Sequence, residues 1–352
     1  MNRFSLLRAA RVVAWLAVGV AGLAVLTATA ANAPGDARTP AEHRRGGVQT
    51  YRGLPDWRPV QSRAELAAYL AAQKPPSAFP FFSHVAQFWQ SYGAISQAAP
   101  STAFDAGYHL RAAGIGAANG FEFGLKACYE ATVGQLAEAS ASGPTAEDQL
   151  AARVAQDYAE FIRSRRPQDY DHVARLKELW QATPLWGSDL LRKWERRFAL
   201  STEYGAKAGW GWLMHKLDKS EPAPPATTAL LLDHWPASSA ELPALKRLRD
   251  VNGGVLAAVP HRAVFTGYAD KLAQQGVRFE EVAGNQGPIL VSLIVPREAT
   301  PVTEARLLFT QPVLTEPETE RRWLTVPVPQ LADALRAWAA RPELRVEHLY
   351  DF

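Results

Sequence analysis

The sequence has one cysteine, Cys128, and two methionines in 352 residues. A single thiol excludes an intrachain disulfide framework and any multi-cysteine metal centre. Net charge is also small: Lys and Arg exceed Asp and Glu by only three, too few for a nucleic-acid-binding surface. Neither a His-Glu-x-x-His zinc motif nor a Gly-x-Ser-x-Gly nucleophile elbow occurs, and Cys128 lacks the context of a nucleophile. His215, His234, His261 and His348 match no metal-ligand spacing. The sequence therefore calls for no cofactor and no metal.

What is present suits a folded chain. Hydrophobic residues make up 47% and charged residues 21%, which excludes a disordered, collagen-like or coiled-coil protein. The length fits roughly two domains. Charge is unevenly placed, with seven Arg against Asp36 and Glu42 in residues 1–52 and a nearly neutral remainder.

Arg3, Arg8 and Arg11 precede an uncharged run, residues 12–33. Two readings compete for it. As a cleaved leader it has a suitable apolar length and a small-x-small site at Ala28-Thr-Ala30, whereas Ala31-Asn-Ala33 would unfavourably leave Pro34 at the new N-terminus. As an uncleaved anchor it would extend about 33 Å at 1.5 Å per residue, enough to cross the hydrocarbon core. The expectation is an inner-membrane anchor, with lipid as the partner of residues 12–33 and the bulk of the chain periplasmic. Arginines flank the run on both sides almost equally, so the positive-inside rule contributes little to orientation.

Residues 34–60 carry four prolines and four glycines without helical periodicity and read as a tether. From Ser62 the pattern turns helical, with Ser62-Arg-Ala-Glu65 as a capping box. Phe82, Val85, Phe88, Trp89, Tyr92 and Ile95 place large rings on one stripe of a second helix. Further helices are expected from Thr145 to Pro167, at about 169–182, and at about 188–217 with Leu190, Leu191, Trp194 and Phe198 buried. Residues 61–219 thus form an all-α, Trp-rich domain. The Pro-rich residues 220–228 read as a linker. Beyond it, seven strand-like runs and two helices give an α+β domain at 229–352. Gly284-Asn-Gln-Gly287 reads as a hairpin turn, and the element order fits a ferredoxin-like split βαβ fold.

The most unusual stretch runs from Gly107 to Glu130. Ala112, Gly116, Gly120 and Gly124 recur every four residues, which on a helix makes a groove for the close approach of a second helix. The stretch is long enough for a second span, which would return residues 130–352 to the cytoplasm. Arg111, Glu122 and Lys126 oppose that, because a charge at mid-bilayer costs roughly 2.5 kcal/mol or more. Gly-x-Gly-x-x-x-Gly at 114–120 lacks the preceding strand that a nucleotide-binding loop requires.

Glu122, Glu130, His84 and His109 are the candidates for acid–base chemistry, since Glu122, Lys126 and Glu130 share a helical face where a carboxylate could be tuned. Trp186, Trp194, Trp210 and Trp212, with Arg196 and Arg197, have the composition of a membrane or partner surface. The expected function is a membrane-anchored envelope protein of non-enzymatic interaction or assembly type, with a protein partner or a second copy of itself. Two alternatives stand beside it: an enzyme on a lipid-linked or hydrophobic substrate using Glu122 and Glu130, and a lipid or small-hydrophobe carrier.

Overall fold

The computed structural model describes residues 38–100, 103–217, 227–251 and 253–352. The apolar run at 12–33 and most of the Pro-rich linker lie outside the described residues. The architecture is α+β: a helical half followed by two antiparallel four-stranded sheets.

The helical half contains α1 (Leu54–Ala71), α2 (Phe81–Ala98), α3 (Ala106–Tyr129), α4 (Ala146–Ser164), α5 (His172–Ala182) and α6 (Leu190–Leu217). Helix α1 starts eight residues before the expected cap. Pro55 falls in its first turn, where a missing N–H costs nothing, and Pro59 sits inside it. Ser62 is therefore an interior residue that donates to the Arg58 carbonyl at 3.1 Å, and no capping box forms there. A capping box does start α4, where Thr145 and Asp148 bond reciprocally.

Residues 38–52 are a docked strap and 54–60 the first turns of α1, not a loose tether. Thr39 and the Arg38 amide bind the Glu281 carboxylate. Thr50 donates to the Tyr350 carbonyl and accepts from the Leu290 amide. Tyr51, Leu54 and Trp57 then pack with Leu290, Trp323 and Tyr350 in one buried cluster. The many Pro and Gly residues removed the periodicity that would have betrayed this burial.

The C-terminal half holds two sheets in place of a single ferredoxin-like sheet, and each keeps a split βαβ, in which the two strands joined by the helix run parallel on either side of a third. Strands β1 (Thr227–Leu232), β2 (Lys246–Val251), β3 (Gly254–Pro260) and β4 (Phe279–Val282) form a sheet of order β2-β3-β1-β4, with helix α7 (Ala263–Gln274) between β3 and β4. Strands β5 (Pro288–Pro296), β6 (Arg306–Pro312), β7 (Thr319–Pro327) and β8 (Arg345–Tyr350) repeat that order as β6-β7-β5-β8, with α8 (Leu331–Ala339) before β8.

Registers and bulges repeat as well. Leu230 pairs with Ala257 and Val282, and Val291 pairs with Leu324 and Leu349. Leu248 and Leu308 are the extra residues of one equivalent pair of bulges, and Glu280 and Glu347 of the other. These are two copies of one βββαβ unit sharing a single core, in which Phe265 and Leu272 of α7 meet Leu331, Leu335 and Trp338 of α8. Gly284-Asn-Gln-Gly287 is the joint between the copies, because β4 and β5 belong to different sheets.

The halves are joined by buried charge. Arg58 bonds Gln61 and Gln87, Gln61 bonds Glu347, and Arg321 bonds both Glu347 and Glu65. Two guanidiniums face two carboxylates, which meets the requirement that buried charges be paired. Both bulged glutamates hold N-terminal residues or their partners: Glu280 takes Arg38, and Glu347 takes Gln61 and Arg321.

Candidate functional site

Helix α6 is inverted relative to an ordinary surface helix. In α6, Arg192, Arg196 and Arg197 are 2%, 4% and 1% exposed, whereas Leu191 and Phe198 are 63% and 66% exposed. Lys193 and Glu195 are buried too. The expectation that Leu190, Leu191, Trp194 and Phe198 fill a core is therefore reversed, and Arg196 and Arg197 are not surface residues. Arg197 bonds Glu147 and Thr183 and lies against the rings of Trp180 and Trp194.

Helix α3 shares the exposed apolar face, although its buried residues, Phe123 and Ala127 among them, are mostly apolar and Glu122 and Lys126 are only partly covered. From Ala106 through α3 and the helical turns that continue it to Ala139, the exposed positions include Leu110, Gly114, Ala117, Ala118, Phe121, Leu125, Cys128, Val133 and Leu136, and the one charge among the exposed positions is Arg111. In α6 the exposed positions carry one formal charge, Lys216. A designed soluble surface is about a quarter to a third charged. Of 21 large apolar residues exposed among the described residues, 18 lie between Phe82 and Leu217, so the bare face belongs to the helical half.

Between these helices, with α1 and α4, opens a cleft of about 2430 Å³. Its floor is a five-membered ion cluster. Arg63 of α1 bonds Asn119 at 3.1 Å and Glu122 at 2.5 Å. Lys207 of α6 reaches Glu122 at 3.0 Å and Glu203 at 2.6 Å. Lys126 pairs with Glu203 at 2.8 Å, and Tyr158 of α4 lies under Arg63 and Lys207. Burial pushes both carboxyls up, but Arg63, Lys207 and Lys126 outweigh it and hold Glu122 well below the usual carboxylate range. Lys126 and Lys207 draw Glu203 down to about 2. His172, at the cleft edge, is lowered to about 4 by burial and then by Lys207.

Two sequence candidates meet in this cleft. Glu122 is on the floor as a permanent carboxylate, a state unsuited to donating a proton. Glu130 also lines the cleft; it opens a π-helical turn, Glu130–Gly134, and binds Arg196 at 2.8 Å. Burial raises Glu130 against the pull of Arg196. A Cβ on Gly134 would collide with the Glu130 carboxylate, so the glycine makes room for that side chain.

The other candidates lie elsewhere. His84 is fully buried, stacked on Phe79, and lowered to about 3 by burial and by Arg58 and Arg321. His109 bonds Tyr92 at 2.5 Å outside the cleft lining. Ala112, Gly116, Gly120 and Gly124 face α2: a Cβ on Gly116 would meet Phe88 and Trp89, with Val85 near Gly120 and Phe82 near Gly124. The groove thus receives aromatic rings of a neighbouring helix. Trp186 and Trp212 are exposed, and Trp194 and Trp210 are partly so.

Sequence reasoning missed a second polar group in the same cleft. His261 lies 2.6 Å from Asp351, and both Thr228 and Arg45 join them. Arg262, next to His261, has φ 65°, in the region where non-glycine residues are uncommon. His261, Asp351, Thr228 and Arg45 are 33 or more positions apart in sequence, and His261 and Asp351 are 90 apart, so no local pattern could group them.

Among the described residues, no cluster of three or more His, Cys, Asp or Glu is placed to hold a metal, and no helix is long and apolar enough to cross a membrane. The two-span expectation fails on that point, because α3 carries Glu122 and Lys126 on its inner face. No protein-family model, curated protein or solved structure matches this chain.

Proposed function

We propose that this chain is a membrane-attached interaction protein of the cell envelope, whose helical half seats the outward faces of α3 and α6 against lipid. The observation that supports it is the inversion of α6, with Arg192, Arg196 and Arg197 buried and Leu191, Phe198 and Trp212 exposed. An apolar face with Trp and a terminal Lys is the pattern of a helix lying at the headgroup boundary. Trp212 lies against Lys216 with 3.9 Å between ammonium and ring, the pairing expected where an aromatic belt meets phosphate. The uncharged run at 12–33 supports the same attachment from the N-terminal side.

Acid–base catalysis by Glu122 fits less well, since a carboxylate held ionised by three cations is a poor acid and a weak base. Vesicle flotation tests the membrane reading. Among the described residues, a chain starting at Arg38 keeps every buried cluster, because their earliest member is Val48. It should float with phosphatidylcholine–phosphatidylglycerol vesicles, and replacing Leu191, Phe198 and Trp212 together by Ser should reduce binding at least tenfold. Equal flotation of both chains, or of neither, would reject the proposal.

A further inference from the structure

We infer that the cleft between α1, α3, α4 and α6 is a binding site for the anionic headgroup of a phospholipid, with the start of its acyl chain lying along Phe121, Leu125, Phe198 and Trp210. This deepens the membrane reading above and rests on it.

Charge carries the first step. The residues lining the cleft include thirteen Arg and Lys against eight Asp and Glu, an excess of five positive charges in a chain whose total is three. The floor alone holds Arg63, Lys126 and Lys207 against Glu122 and Glu203, one cation more than the carboxylates neutralise. A low-dielectric wall strengthens the field of that surplus and selects anions. The two carboxylates also fix the ammonium and guanidinium groups in place before any ligand arrives, so little ordering is needed on binding.

The second step is the polarity gradient. The charged side chains of the floor are mostly covered, whereas Phe121, Leu125 and Phe198 at the mouth are largely exposed. Depth therefore runs from apolar at the lip to cationic at the base. A purely polar anion leaves the lip uncovered, and a purely apolar ligand leaves the surplus cation unpaired. An amphiphile with a phosphate head satisfies both, and a bilayer against α3 and α6 presents such molecules at the opening.

The test uses the full chain with a polarity-sensitive bimane on Cys128, the sole thiol, exposed and one helical turn beyond Leu125. The probes are dodecyl phosphate, dodecanol and inorganic phosphate, the amphiphiles kept below micelle formation. Dodecyl phosphate should shift the emission saturably at a concentration at least tenfold lower than dodecanol, and phosphate alone should give no shift yet compete at millimolar levels. Lys207→Gln should abolish the preference for dodecyl phosphate over dodecanol. Because that change disturbs the ion cluster, Leu125→Ser on the exposed lip provides a second variant, expected to weaken dodecyl phosphate at least fivefold with an unchanged melting temperature. Equal half-saturation by dodecanol and dodecyl phosphate, or tight saturation by inorganic phosphate alone, would overturn the inference. Flotation that persists while this titration fails rejects the cleft site and leaves the membrane face standing; loss of flotation with the titration intact rejects the membrane face.

Discussion

Lys207 of α6 lies 3.0 Å from Glu122 of α3, while both helices leave large apolar residues exposed, Phe121 and Leu125 on α3 and Leu191 and Phe198 on α6. Charge inward and hydrocarbon outward, as in α6, is the reverse of a soluble helix. The exposed apolar residues supply the membrane face, and the charges between the helices supply the cleft.

Glu122→Gln should destabilise the fold by about 2 kcal/mol, less than the loss of a fully buried pair partner because the cleft admits water. Three cations would then face Glu203 alone. Amphiphile binding should survive or tighten, since the cation surplus grows. Denaturant melts and dodecyl phosphate titration of the variant check both outcomes; abolished binding in a folded variant would assign Glu122 to catalysis or ligand contact.

Stability should fall steeply in mild acid. Burial lowers His84 and His348 to about 3 and His172 to about 4, from 6.5. The unfolded chain takes up these protons first, so their contribution is complete above pH 6.5 and is lost as pH falls towards 4 and then 3. The three histidines alone contribute a slope that approaches roughly 4 kcal/mol per pH unit below pH 6, offset in part by Asp56, Glu65 and Glu130, whose carboxyls burial raises. Urea midpoints at pH 7.5, 6.5 and 5.5 read it, and a flat profile would refute the burial of these rings as neutral imidazoles.

Glycines of α3 should separate into two kinds. Gly116→Ala places a methyl 2.7 Å from Trp89 and into Phe88, which should cost about 1–3 kcal/mol by overpacking. Gly114→Ala meets nothing within 4 Å and should stabilise the helix by about 0.5–1 kcal/mol. Thermal melts of the two single variants compare them directly, and a shared direction would contradict the packing of α3 on α2.

Thr50→Val should cost about 1–2 kcal/mol, since it removes one hydroxyl that serves both the Tyr350 carbonyl and the Leu290 amide. Hydrogen exchange at the Leu290 amide should rise with it. No change would mean that the strap at 38–52 is dispensable.

Much of the helical half was legible in sequence because α2 and α4 keep three–four spacing of apolar residues. In α6 the periodicity specifies a helix but does not state which face is inside. Apolar Leu191 and Phe198 were assigned to the core by default, and buried Arg196 and Arg197 to the surface. The repeat is also visible, in Val277-Arg-Phe-Glu-Glu-Val282 against Leu344-Arg-Val-Glu-His-Leu349, yet strand β2, mostly charged and exposed, gives no strand pattern and hides the shared βββαβ order. Glu122 and Glu130 are legible because, eight residues apart, they share one helical face. Arg63, Lys207 and the His261–Asp351 pair reach the cleft from distant elements, which only the tertiary fold specifies.

The most direct test of lipid contact by α3 is the environment of Cys128 on vesicles. Bimane on this residue should be quenched by lipids brominated along the acyl chain and shielded from aqueous iodide when the chain starting at Arg38 binds phosphatidylglycerol-containing vesicles. Undiminished iodide quenching, with no effect of the brominated lipids, would contradict a membrane-facing α3.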